Sequence, residues 1–403
     1  MVQPCEYTKT SPAPKLRMLT CVEKQKHKFD EFHLSQIAFL VLELVIAFLY
    51  NLHDMKKNFA FILIYFVALN TSSACTTFLI NKNGQLVFGR NYDWITGAGM
   101  VCTNLRGLQK TSMKTEDGNT ISWISNHGSI TFNQYGKEFP TGGMNEKGLV
   151  VELMWLDGTK YPAADDRPSL GVLQWIQYQL DCCANVNEVI ATDKILRITS
   201  NGTPLHYLVA DATGNVAAIE FLKGKMVVHQ GKELPFPVLT NNSYDESVQR
   251  TKGANGSQSF RDNSIDRFAK ACSMVHQFQL QDINTPVVEY AFNLLDKVSQ
   301  GDWTKWSIVY DIVNKRIHFK SMGYSTIKTI SFSSFDFSCL TPSKMFNINQ
   351  NNQGEVFSLF KPFSIDESRP ILETAVNESS SQVTISDKTK EAILNYTRSI
   401  KCK

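Results

Sequence analysis

The chain has 403 residues, a formal net charge of +3, 43% hydrophobic residues and 20% charged ones. These are ordinary globular proportions, enough for one large domain or two small ones. No basic block dominates any region, which argues against nucleic acid or an acidic polymer as partner, and the nine cysteines show no paired CxxC spacing of the kind that holds zinc.

In chain order, residues 1–33 are polar and lysine-rich, carry Pro4, Pro12 and Pro14, and read as disordered. Ile37 to Tyr50 is apolar but interrupted by Glu43 and short for a membrane span. The next stretch has the three parts of a secretory signal peptide in order. Met55-Lys56-Lys57 is a positive start, Phe59 to Leu69 an unbroken apolar run, and Asn70 to Ala74 a short polar exit with small residues at Ser72 and Ala74. Cleavage is therefore expected between Ala74 and Cys75, delivering a periplasmic or secreted protein with no stable membrane insertion. The expected organisation is residues 1–54 as an upstream extension, 55–74 as signal peptide and 75–403 as the catalytic domain. The simplest account of the extension is that translation starts at Met55; the alternative is a membrane-anchored precursor. Removing Cys5 and Cys21 leaves seven of the nine cysteines, an odd number, so at least one thiol stays free in any disulfide scheme.

From Cys75 the chain alternates strand-like and helical runs. Thr76 to Leu79 and Gln85 to Gly89 read as a hairpin turning at Asn83-Gly84. Ser122 to Ser125 and Ser129 to Asn133 flank a His-Gly turn, and Met144 to Gly148 is a polar turn leading into Leu149 to Leu156. Apolar spacings of three and four predict helices over Gly171 to Leu180, Val186 to Leu196, Ile265 to Phe278 and Val287 to Val298. Strands are expected at Leu205 to Ala210, Val216 to Phe221, Trp306 to Asp311 and Arg316 to Lys320, and residues 246–263 read as a polar surface loop or lid. The pattern is an α+β domain.

A cysteine freed at a new N-terminus carries its own base. The α-amine has an ordinary pKa of ~7.7–8.0 and the thiol one of ~8.5, so the amine can accept the thiol proton near neutrality. Such a site then needs a cation to favour the thiolate, a carboxylate to hold the amine and donors for the tetrahedral oxyanion. Arg90 and Asp93 follow the second strand of the predicted hairpin, which brings them back beside Cys75. An Arg/Asp pair three apart is more often a surface ion pair; flanking Phe88, Tyr92 and Trp94 argue for partial burial. A competing class is a lipoprotein acylated at Cys75, although Ser72 stands where such sites usually have a Leu-like residue. Another is a non-catalytic relative.

The ordered set Cys75-Thr76-Thr77, Phe88 to Trp94, Met144 to Leu149, His206 to Asp211 with Glu220, Val238 to Asn242, Asp266-Arg267-Phe268 and Trp306 to Asp311 resembles the choloylglycine hydrolase family of conjugated bile-acid hydrolases and penicillin V acylases. The resemblance is good over about residues 75–330 and weak beyond. It implies a four-layer αββα sandwich of the N-terminal-nucleophile type, an amide substrate, no metal or organic cofactor, and a homotetramer. It makes Cys75 resemble the nucleophile, Arg90 the arginine that stabilises the thiolate, and Asp93 the carboxylate that fixes the amine. Asn241 is similar to the oxyanion-hole amide, with Asn242 as the adjoining alternative, and Arg267 to a second active-site arginine. Where the family often carries an Asn or Tyr on the oxyanion side this chain has Trp155, as its Gram-negative branch does; an indole there is expected to pack the acyl group. That tilts the expected substrate towards penicillin V or an acyl homoserine lactone and away from bile salts.

Overall fold

The computed structural model describes residues 75–116, 120–200, 202–252, 263–281 and 283–403, all within a unit spanning Thr71–Lys403. The extension and signal peptide expected over 1–54 and 55–74 lie outside the described residues.

Cys75 opens directly into the hairpin, whose strands run longer than expected: Thr76–Lys82 pairs with Gln85–Asp93, placing Thr77 opposite Arg90 and Thr76 opposite Asn91. Asn83 and Gly84 both have positive φ (52° and 77°), the backbone a two-residue turn needs to follow the twist of its strands. The hairpin lies within a seven-stranded sheet, in spatial order Val238–Leu239, Thr76–Lys82, Gln85–Asp93, Thr304–Asp311, Arg316–Ser321, Tyr324–Ser331 and Gly354–Glu355. A second sheet of nine strands carries Leu205–Ala210, Val150–Trp155, Pro140–Asn145, Ser129–Asn133 and Met100–Asn104 side by side at its centre.

Period-two alternation shows how the layers stack. Val150, Met154, Leu208, Ala210 and Ala218 share one core with Phe78, Phe88, Ile308 and Tyr310 of the first sheet. Their neighbours Val151, Leu153, Tyr207, Val209 and Ile219 join a separate core with Trp175, Ile176, Leu180 and Val186 from the helices Val172–Cys182 and Val186–Ala191. On the other side, helices Asn263–Leu280 and Val287–Lys297 bring Ala271, Val275, Leu294 and Leu295 against the first sheet. The result is the helix–sheet–sheet–helix sandwich expected; each fully buried Phe or Leu in it contributes roughly 1.5–3 kcal/mol.

Three local expectations change. The segment read as a loop over 246–263 begins with a helix, Tyr244–Lys252; only Tyr244 and Ser247 are buried on it, so it lacks the apolar stripe that reveals helices in sequence. The helix expected from Val186 ends at Ala191 and gives way to a short 3₁₀ turn and the strand Arg197–Thr199. The strands beside the His-Gly turn do not pair with each other: Ser122–Ile124 joins Leu108–Thr111 in a small separate sheet, whereas Ser129–Asn133 enters the large one. Past the region of good resemblance, helices Ile365–Glu378 and Asp387–Tyr396 pack on Tyr135 and Phe139. Cys339 and Cys402 form a disulfide, and Cys75, Cys102, Cys182, Cys183 and Cys272 are free thiols.

Candidate active site

Cys75, 3% exposed, stands at the head of an interior strand, second from the edge of the seven-stranded sheet. Along the neighbouring strand Phe88, Arg90 and Tyr92 face the second sheet while Asn91 and Asp93 face the helices, because successive residues alternate. Arg90 and Asp93, three apart, therefore reach Cys75 from opposite faces of one strand. The Arg90 guanidinium Nη2 lies 3.9 Å from Cys75 Sγ, and the thiol sits 3.8 Å from the Asp93 carbonyl oxygen.

Each charge has its own buried setting. Arg90 Nη1 donates to the Thr141 carbonyl at 3.0 Å and to Glu152 Oε2, and its guanidinium stacks over the Tyr92 ring at 4.7 Å. Glu152 also accepts from the Tyr310 hydroxyl. Room for its carboxylate comes from Gly142, directly opposite in the ladder, where a Cβ would stand 2.0 Å from Glu152 Oε2. Asp93 Oδ1 accepts from the Thr304 hydroxyl at 2.5 Å, whereas Oδ2 is buried with no hydrogen-bond partner among the described residues.

Burial decides the protonation tendencies here. It pushes the Cys75 thiol up; the Arg90 guanidinium works in the opposite direction, and the Asp93 carboxylate adds to the rise, so the balance is upward. Asp93 is likewise pushed up by burial, to about 7, with Arg267, the Thr304 hydroxyl and Arg90 each pulling it down.

Arg267, on the helix Asn263–Leu280, ties the remaining pieces together. Its Nη1 donates to the Cys75 carbonyl and to Thr76 Oγ1 at 2.6 Å, and its Nη2 to Asn241 Oδ1 at 2.9 Å. Asn241 Nδ2 in turn donates to the Trp155 carbonyl at 2.9 Å. An amide nitrogen has two N–H donors, so this bond leaves a second. The segment before Asn241 is held by His206, whose Nε2 donates to the Thr240 carbonyl at 2.7 Å and whose Nδ1 lies 3.1 Å from Glu220 Oε1. The Trp155 indole packs at 5.7 Å from the Trp94 ring and donates from Nε1 to Asp157 at 2.6 Å.

Cys75, Arg90, Asp93, Asn241, Arg267 and Trp155 thus come together in one place. Cys75 and Trp155 open on a largely apolar cavity of about 450 Å³, with Trp94, Tyr135, Phe139 and Leu153 in its walls. Sequence reasoning missed Glu152 and Tyr310 as partners of Arg90. The available signal was a lone carboxylate at an inward position of an apolar strand, which demands a buried cation.

A cysteine heading an interior strand of an αββα sandwich, with its charged partners on the adjoining strand, is the N-terminal-nucleophile architecture. The chain matches, over residues 75–256, the model of the linear amide C–N hydrolases, choloylglycine hydrolase family. It is 28% identical over 241 residues to a penicillin V acylase of Pectobacterium atrosepticum, covering 53% of this chain and 61% of that one, so it spans less than two thirds of that relative. Among solved structures, the penicillin V acylase of Agrobacterium tumefaciens superposes with a TM-score of 0.64 at 25% identity, over 72% of this chain and 98% of the other. A variant of the conjugated bile acid hydrolase of Clostridium perfringens superposes with a TM-score of 0.59 at 18% identity, over 69% and 98%, a likeness of fold.

Proposed function

We propose that the chain, once it begins at Cys75, hydrolyses a linear amide that joins an apolar acyl group to a polar amine. The observation that carries this reading is the orphaned Oδ2 of buried Asp93 beside Cys75. A buried carboxylate with a free oxygen is costly unless a cation meets it, and the α-ammonium created by cleavage before Cys75 is such a cation. The α-amine takes the thiol proton, with Arg90 opposing the cost of a buried thiolate. The sulfur attacks the amide carbon, and the second Asn241 N–H stabilises the oxyanion. The ammonium then protonates the leaving amine, which departs and leaves a thioester. Water adds to the thioester with the amine again as base, releasing the acid and restoring the thiol.

Trp155 favours penicillin V or an acyl homoserine lactone over a bile salt, because its indole fills wall space beside Cys75. The burial of Cys75 in the core speaks against a lipid anchor there, since an acyl anchor needs its sulfur at the surface. Export is part of the same reading, supported by the Cys339–Cys402 disulfide, a bond typical of oxidising compartments. The test combines the intact mass of the secreted protein with hydrolysis of penicillin V, glycocholate and a long-chain acyl homoserine lactone. A mass beginning at an unmodified Cys75, with hydrolysis lost in Cys75→Ala, supports the proposal. A diacylglycerol adduct, or hydrolysis that survives the substitution, overturns it.

A further inference from the structure

Part of the cavity beside Cys75 is built by chain that lies far beyond the family match, which ends at residue 256. Gln382, Val383, Thr384, Ile385, Thr389 and Ile393 all line it. They come from the connection between the two C-terminal helices and from the second of those helices, Asp387–Tyr396.

This wall is anchored to the rest of the site at three points. Leu372, Ala375 and Val376 of the first helix and Ile393, Leu394 and Tyr396 of the second form one apolar cluster with Tyr135 and Phe139, which are themselves cavity residues. The contact is close enough to require a glycine: a Cβ on Gly136 would stand 2.3 Å from Ile393 Cγ2. The Tyr135 hydroxyl donates to Ser379 Oγ at 2.9 Å and accepts from Trp94 Nε1 at 2.9 Å, connecting the helix pair to the strand that carries Arg90 and Asp93. Beyond the second helix, Lys401–Cys402 pairs with Leu108 and Gln109, and Cys402 is joined to Cys339. The strand Leu108–Thr111 leads straight into Met113, Lys114 and Thr115, again cavity residues. The Tyr135–Phe139 loop that receives the wall is fixed in turn, because Glu138, held at φ 74°, is buried between Lys110 and Lys137, and Lys110 also bridges to Asp181.

We infer that the C-terminal helix pair is the acyl-selectivity wall of this enzyme, with Val383 and Ile393 setting the length of acyl group accepted and the Cys339–Cys402 disulfide keeping the wall in place. The inference rests on the hydrolase reading for its substrate but on the cavity alone for its geometry. Val383 is half-buried, so a larger side chain there extends into the cavity without displacing the core; Ile393 is 7% exposed, and truncating it opens space at the wall.

The experiment uses the processed protein beginning at Cys75, a series of amides of one amine with acyl groups from butanoyl to tetradecanoyl, and three variants: Val383→Trp, Ile393→Ala and the double change Cys339→Ser/Cys402→Ser. Binding of the matching free fatty acids, read by quenching of tryptophan fluorescence, is measured alongside and needs no turnover. Since one methylene in an apolar pocket is worth about tenfold or more, Val383→Trp is expected to lower kcat/KM for the longest acyl group relative to the shorter ones by at least about tenfold. Ile393→Ala should shift the ratio the other way, and loss of the disulfide should flatten the length profile. Length profiles unchanged in both Val383→Trp and Ile393→Ala overturn the inference. If no amide is turned over by the parent protein, the hydrolase reading fails, and the fatty-acid profile still decides the wall: a shift with Val383→Trp upholds it, an unchanged profile rejects it.

Discussion

Replacing Glu152 by Gln isolates what the buried ion pair with Arg90 contributes. Both side chains are wholly buried, and Gln keeps the shape of Glu and an acceptor for the Tyr310 hydroxyl while removing the charge. The guanidinium then faces an amide N–H₂ in place of a carboxylate. Removing one member of a buried pair strands the other charge and costs roughly 3–5 kcal/mol, which at about 1.4 kcal/mol per decade is a loss of about two to three and a half orders of magnitude in the folding equilibrium. Removing both charges is different: Arg90→Met/Glu152→Met leaves no stranded ion, and such replacements range from neutral to stabilising by about 1–4 kcal/mol. Urea unfolding followed by tryptophan fluorescence measures both variants against the parent. The reasoning is refuted if Glu152→Gln lies within about 1 kcal/mol of the parent, or if the double variant is as unstable as the single one.

Asp93 predicts a pH dependence of the uncleaved chain. Its carboxyl is raised from 3.8 to about 7, so the folded state keeps a proton that the unfolded state releases near pH 4. The contribution is therefore fully present below about pH 4 and is lost as pH rises towards 7. The urea midpoint of the chain extending upstream of Cys75 should fall over that window more steeply in the parent than in Asp93→Asn; a slope that the substitution leaves unchanged contradicts the assignment. Under the proposed mechanism Asn241→Ala removes one oxyanion donor and should lower kcat by about 10²–10³-fold with little change in KM. A change confined to KM in a steady-state assay would instead assign Asn241 to substrate binding.

The reach of the sequence follows from which interactions are local. Cys75, Arg90 and Asp93 were readable because one tight hairpin fixes their register, and Asn83-Gly84 announces that hairpin. Glu152 was on the page as a letter but not as a partner, since its pairing with Arg90 crosses from one sheet to the other, and sequence spacing carries no information about how two sheets stack. The helix Tyr244–Lys252 was hidden because almost none of it is buried. The C-terminal helices escaped for the opposite reason: they have buried residues, but those residues meet Tyr135 and Phe139, more than two hundred positions earlier.

Trp155 joins two tasks at one position. Its carbonyl holds the Asn241 amide, and its indole lines the cavity that would receive the acyl group. Under the proposed function, recognition and turnover are thereby wired through a single peptide unit at the end of a strand. A lineage drifting to a bulkier or slimmer acyl group has little freedom to explore at this residue, because any shift of the ring that tilts the backbone also re-aims the amide. Among the described residues no hydrogen bond joins the C-terminal wall to Asn241, so the wall proposed above is the freer ground for selectivity to evolve.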